Sequence, residues 1–211
     1  MKAIRVNGKS VVPSKVVCIG RNYVGHITEL GNEIPKEPVV FLKPNSAISD
    51  ILQAFHQEPL HYEGELCFVY EQGRFSAVGF GLDLTKRGLQ GALKAKGLPW
   101  ERAKAFDGAA VLGDFVSIDE TILLETEDSE KELVLELRVN GELIQRGGIS
   151  LMMYKPKAIL DALQQFITLE DGDVVMTGTP EGVGQINVGD VFEGRVVHAG
   201  GILTQVGWVA E

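Results

Sequence analysis

The residues of this chain best suited to chemistry are acidic. In His61-Tyr62-Glu63-Gly64-Glu65-Leu66, two glutamates stand two apart at the head of an apolar run ending at Tyr70. On a strand such residues share a face, with Cβ atoms about 6–7 Å apart. Like charges held at that spacing repel, so a compensating cation is expected. An oxygen-only donor set suits a hard divalent ion, Mg2+ or Mn2+ before Zn2+. The same spacing, taken alone, also fits two glutamates on a solvated strand edge. Asp83 closes a second apolar run, Gly79-Phe80-Gly81-Leu82-Asp83, just before a helical stretch, and is the candidate third ligand. Three carboxylates would leave about three octahedral positions for water or substrate.

A second group lies in Gly20-Arg21-Asn22-Tyr23-Val24-Gly25-His26-Ile27-Thr28-Glu29. His26 and Glu29 are three apart and neighbours on a helix face. A carboxylate beside an imidazole fixes its tautomer and raises its basicity, which suits a base that activates water. The pair alone fits a surface His–Glu contact equally well. Arg21, just before that helix, could grip a carboxylate through its guanidinium fork. Lys104 is a lone lysine in a semi-apolar stretch, and spacing assigns it nothing. Gly178-Thr179-Pro180-Glu181-Gly182-Val183-Gly184 lacks the Gly-Lys-Ser/Thr end of a phosphate loop, so nucleotide binding is excluded there. It reads as a tight strand-end turn whose hydroxyl and amides could hold a small anion.

The elements that must position these groups are mostly strands. Val16–Gly20, Pro38–Leu42, Leu66–Tyr70, Phe75–Phe80, Ile122–Glu125, Leu133–Val139 and Asp173–Thr177 are apolar runs bounded by turn residues. Val191 to Val209 alternates like closing strands. Asn140-Gly141 between two such runs reads as a two-residue hairpin turn. Helices are expected over Lys86–Lys96 with Gly97 as its stop, over Tyr23–Leu30, and from Pro156 along Ile159, Leu160, Leu163, Phe166 and Ile167. No linker or repeat divides the chain, so residues 1–211 are expected to form one domain. Strands do not alternate regularly with long helices, which favours a mainly β, α+β body over a doubly wound sheet.

Composition narrows the function. With 20 basic and 29 acidic residues the formal net charge is −9, which argues against a nucleic-acid partner. No apolar run reaches the roughly 20 residues needed to span a bilayer, and no secretory leader is visible at the start. Cys18 and Cys67 sit in apolar runs at a spacing that fits no zinc pattern, and read as buried thiols of a reducing cytoplasm. Asp119 to Glu136 carries eight carboxylates against Lys131 alone and reads as a solvated hairpin arm.

Together these stretches resemble the fumarylacetoacetate hydrolase superfamily, in its short single-domain branch that includes acylpyruvate hydrolases and oxaloacetate decarboxylases. The resemblance is carried, in order along the chain, by Gly20-Arg21-Asn22-Tyr23 with His26 and Glu29, Phe41-Leu42-Lys43-Pro44 and His61–Leu66. It continues through Gly81-Leu82-Asp83-Leu84-Thr85-Lys86-Arg87 with Gln90, Lys104-Ala105-Phe106-Asp107, Val139-Asn140-Gly141-Glu142, and Asp171-Gly172-Asp173 through Thr177–Gly184. It implies a β-roll of layered mixed sheets with a few short helices, commonly in homodimers. It implies Glu63, Glu65 and Asp83 as metal ligands for Mg2+ or Mn2+, and His26 with Glu29 as a water-activating dyad. Lys104, Gln90, Arg21 and Thr179 would line the site of a small 2-keto acid. The implied reaction is hydrolysis of an acylpyruvate to a carboxylate and pyruvate through a metal-stabilised enolate. Oxaloacetate decarboxylation, keto–enol tautomerisation and related isomerase or hydratase reactions are the alternatives at the same site, and a non-catalytic keto-acid binder is the remaining one. The chain departs from the family pattern at Leu82, where Asn is usual, and at Gly88, where a carboxylate is usual.

Overall fold

The computed structural model describes residues 1–25, 37–123 and 131–211 of the 211-residue chain. The architecture is mainly β, in curled mixed sheets with short helices. The large sheet runs in the order Val39–Pro44, Lys15–Gly20, Val174–Met176, Gly64–Glu71, Arg74–Asp83, Ala110–Leu112 and Ile48–Ser49, with Val116–Ser117 also pairing Arg74–Asp83. Its backbone is a long hairpin, Gly64–Glu71 against Arg74–Asp83, joined at Gln72-Gly73, both at positive φ. A second sheet orders Glu142–Gly148, Val134–Val139, Val191–His198 and Gly201–Val209, all antiparallel.

Alternation along the long hairpin sorts side chains to two faces. Leu66, Phe68, Val78, Phe80 and Leu82 meet Leu135, Leu137, Phe192, Val196 and Trp208 of the second sheet in the main core. The sheets approach closely there: Gly194 has no room for a Cβ against Phe80, and the Phe80 and Trp208 ring centroids are 6.3 Å apart. The opposite face carries smaller side chains, Cys67, Val69 and Ala77, against Val16, Cys18, Leu112 and Phe115. A Cβ on Gly81 would come within 2.7 Å of both Cys67 Sγ and Leu112 Cδ2. Both cysteines are free and buried.

Helices cover Arg87–Ala95, Glu101–Lys104 and Pro156–Gln164. The first stops at Gly97, φ +63°, and the third starts on Pro156, as expected. The third is shorter than its apolar spacing suggests, because Phe166 lies beyond it and is 64% exposed. Asn140 and Gly141, both at positive φ, turn the chain from Val139 to Glu142, as expected.

Two expectations are corrected. Glu120–Leu123 forms a 3-10 turn and not the start of a strand. The acidic stretch from Asp119 to Glu136 is not a solvated arm at its C-terminal end: Val134–Val139 is flanked on both sides in the second sheet, and Leu133, Leu135 and Leu137 are fully buried. Alternation of polar and apolar residues says that one face is wet, not that the strand lies at an edge. Residues 124–130 of that stretch, and the expected helix beyond Gly25, lie outside the described residues.

Candidate active site

The site grows from the register of the long hairpin. Gly64 pairs with Leu82 and Glu65 with Gly81, and the Asp83 amide donates to the Glu63 carbonyl at 2.9 Å. Asp83 therefore stands directly opposite Glu63, and both share a face with Glu65. All three are nearly inaccessible, and one carboxylate oxygen from each lies within 4.8 Å of the others. The reading of Glu63 and Glu65 as exposed edge residues does not survive this burial.

Burying three carboxylates demands positive charge, and lysines from two other elements supply it. Lys104, at the end of the Glu101–Lys104 helix, donates to Glu63 Oε2 at 2.9 Å, Asp83 Oδ2 at 2.7 Å and Thr85 Oγ1 at 2.7 Å. Lys43, fully buried, lies 2.8 Å from Asp83 Oδ1 and donates to the Lys104 carbonyl. Arg87 reaches Glu63 Oε1 at 2.6 Å and donates to Gln90 Oε1 at 3.0 Å. Burial opposes the charge on Lys104, but Asp83 and Glu63 outweigh it and hold its pKa above the ordinary lysine value. Glu65 differs. Burial, then the charges of Asp83 and Glu63, push its pKa well up, while the Gly178 amide at 2.7 Å and Lys104 pull it partly back.

The Gly178 turn is built for that contact. Its φ is +95°, and a Cβ would lie 2.9 Å from both Asn22 Cβ and the Ile19 carbonyl. Asn22 ties this turn to the Arg21 bend: its Nδ2 donates to the Thr177 carbonyl at 2.8 Å and its Oδ1 accepts from the Tyr154 amide at 2.7 Å. Arg21 sits at φ 57°, an uncommon conformation for its residue type. The first amide of the turn is thus spent on a carboxylate of the chain and not held for an external anion. Thr179 Oγ1 accepts from Gln145 Nε2 at 2.9 Å.

Glu63, Glu65, Asp83, Lys104, Gln90, Arg21 and Thr179 all line one cleft, so the structure gathers seven of the nine expected site residues. The other two, His26 and Glu29, lie outside the described residues. The cleft also holds residues given no role from sequence. Lys94 is one; with Arg87 and Gln90 it falls at i, i+3 and i+7 on one face of the Arg87–Ala95 helix, a spacing legible in the sequence. Trp100 is another, tilted at 57° against Phe41 with ring centroids 5.9 Å apart, and with Arg21 Cζ 6.0 Å and Lys94 Nζ 5.0 Å from its ring centroid. Gln145 stands behind the cleft. A bulge at Ile144 turns its strand, and Gln145 accepts from the Gly64 amide at 2.9 Å, between the two glutamates, while holding Thr179.

The Gly88 departure has a local explanation. The Gly88 and Leu89 amides donate to Glu58 Oε1 at 2.9 and 3.3 Å. A Cβ on Gly88 would already lie 3.3 Å from that oxygen. Glu58 thus brings negative charge to the helix N-terminus from outside, where a carboxylate is favoured.

The family model for the fumarylacetoacetate hydrolase C-terminal region matches residues 15–207. The chain belongs to the fumarylacetoacetate hydrolase family. Among this family's members it is 41% identical over 192 residues to the oxaloacetate tautomerase YcgM of Escherichia coli, covering 84% of this chain and 85% of that protein. It is 38% identical over 196 residues to the mitochondrial oxaloacetate tautomerase of Homo sapiens, covering 86% of each. The fumarylpyruvate hydrolase of Pseudomonas aeruginosa, solved in complex with Mn2+ and pyruvate, superposes with a TM-score of 0.85 at 28% identity over 99% of this chain and 95% of that one.

Proposed function

We propose that this family member is a metal-dependent enzyme of small 2-keto acids, with keto–enol tautomerisation of oxaloacetate as its reaction and residues 1–211 as one catalytic unit. The observation that carries the reading is the buried triad Glu63, Glu65 and Asp83, joined in one cleft by Lys104, Gln90, Arg21 and Thr179. The triad fits a hard divalent ion. Its donors are all oxygen. Among the described residues Asp83 Oδ1 has only its 2.8 Å ion pair with Lys43, and of the Glu65 oxygens only Oε2 accepts a hydrogen bond.

Glu63, Glu65 and Asp83 would hold Mg2+ or Mn2+, which supplies a Lewis acid that stabilises negative charge on a keto oxygen. The protein's own groups do the rest. Lys104, held protonated by Asp83 and Glu63, keeps a positive charge against the site and is a poor base at neutral pH. Thr179, fixed by Gln145, and Gln90, fixed by Arg87, offer neutral polar contacts to a planar substrate. Tautomerisation moves one proton from carbon to oxygen and needs no hydrolytic water. Curated relatives sharing 38–41% identity over most of the chain, both oxaloacetate tautomerases, favour this reaction over hydrolysis.

Acylpyruvate hydrolysis is the second reading, favoured by the likeness to the Pseudomonas aeruginosa enzyme. It would draw on His26 and Glu29 as the water-activating pair. The expected cytoplasmic setting agrees with two free buried thiols, and the expected homodimer is open to a sedimentation measurement.

The test is a substrate panel with purified protein and Mg2+ or Mn2+, with and without chelator. Decay of enol-oxaloacetate should be accelerated only with the ion, whereas acetylpyruvate should release pyruvate slowly or not at all. Rapid pyruvate release from acetylpyruvate, abolished in His26→Ala, would transfer the assignment to hydrolysis. Loss of neither substrate with either ion would end the enzymatic reading.

A further inference from the structure

The cleft holds more positive charge than the triad consumes. Lys104, Lys43 and Arg87 each contact a triad carboxylate. Lys94 and Arg21 do not. Among the described residues neither makes an ion pair, and each is instead set against the indole of Trp100, at 5.0 and 6.0 Å. Arg21 Nε is buried without a hydrogen-bond partner among those residues. Burial, followed by the repulsion of Arg21 and Arg87, lowers the Lys94 pKa to about 8. Two half-buried cations facing one cleft repel each other, and an aromatic ring compensates only part of that cost.

An anion would relieve the arrangement. A keto acid whose near end meets the triad, in the reading proposed above on which this inference rests, has a far end that must go elsewhere in the same cleft. We propose that Lys94 and Arg21, held against Trp100, form a subsite for the second carboxylate of a dicarboxylic 2-keto acid and so set the enzyme's preference for dicarboxylates over monocarboxylates. The guanidinium fork gives direction, and the ammonium at the end of a flexible stem adjusts to length. Arg87 and Gln90, two turns and one turn before Lys94 on the same helix face, stand towards the triad end, so one helix spans both ends of the substrate.

The test uses the full chain loaded with Mn2+. Enol-oxaloacetate is the substrate and pyruvate, which lacks the far carboxylate, the competitor. Lys94→Met is expected to raise KM for oxaloacetate about tenfold or more, with the loss in KM rather than kcat, and to leave the inhibition constant of pyruvate within about twofold. Lys94→Arg should restore most of the loss. An equal weakening of oxaloacetate and pyruvate, a fall in kcat without a change in KM, or no change at all would each overturn the subsite. Where turnover is absent, thermal shifts of the Mn2+-loaded protein by the two ligands give the same comparison. Failure of wild-type protein to respond to either ligand would instead strike the keto-acid reading itself, and this inference with it.

Discussion

Two buried carboxylates in this sheet differ in almost everything but burial. Asp173 is fully inaccessible and Glu65 is 2% exposed. Asp173 accepts from the amides of Ser14, Lys15 and Glu170, from the Ser14 hydroxyl at 2.7 Å and from Lys15 Nζ at 2.5 Å. Burial alone would raise its pKa, but these donors, led by Lys15, hold it below the usual value. Glu65 has one backbone donor and two carboxylates for neighbours, and its pKa goes up. A carboxylate whose oxygens are fully satisfied is a fastener, tying the strand entered at Lys15 to the turn before Val174. One left with like charges and few donors has a charge that a bound cation would neutralise.

The contrast can be broken in order of effect. Glu65→Gln should cut metal-dependent turnover by at least about a hundredfold, since a Lewis acid is worth several kcal/mol. It should also remove the thermal stabilisation expected from Mn2+, about 2.7 kcal/mol at a hundredfold excess over Kd if the ion binds the folded wild type alone. Retention of both in calorimetry and assay would show that the triad is not the metal site. Asp173→Asn should do the reverse. It strands Lys15 and costs about 3 kcal/mol or more in denaturant unfolding, while activity per folded molecule persists.

The same aspartate carries an acid dependence with a definite sign. Its folded pKa is depressed, so its stabilisation is present above the unfolded value near 3.8 and drains away as pH falls through the lower folded one. Acid unfolding in Asp173→Asn should therefore lose steepness in that window. The smallest effect is expected from Gln145→Ala, which leaves the Gly64 amide without its acceptor at a cost of about 1–3 kcal/mol. It also frees Thr179, so turnover should fall more than Tm would suggest.

The carboxylates were legible because strand alternation is a local property: Glu63 and Glu65 must share a face. The place of Asp83 opposite Glu63 was less so, since it depends on the register of a hairpin whose turn, Gln72-Gly73, had to be found first. Lys104 could not be read from its surroundings at all. Its partners lie 19 to 41 positions away, and only the fold brings it to them. Lys94 had a helical signal in its spacing from Arg87 and Gln90, but nothing local marks that face as the one turned to the cleft. The acidic stretch misled for the converse reason, because alternation reports which face is wet and is silent on a strand's neighbours. Resemblance to the family supplied what local physics could not for Lys104, Gln90 and Thr179, and left Lys43 and Gln145 without roles.

The contact between Glu58 and the start of the Arg87–Ala95 helix couples position 58 to position 88. A protein engineer who restores an acidic side chain at position 88 without altering Glu58 would set two anions against each other beneath the very helix that aims Arg87, Gln90 and Lys94. Replacing Glu58 alone would leave that helix with its leading amides uncovered. Substitutions at the two positions should therefore be tolerated as a couple far better than singly, and libraries aimed at retuning the cleft should vary them together.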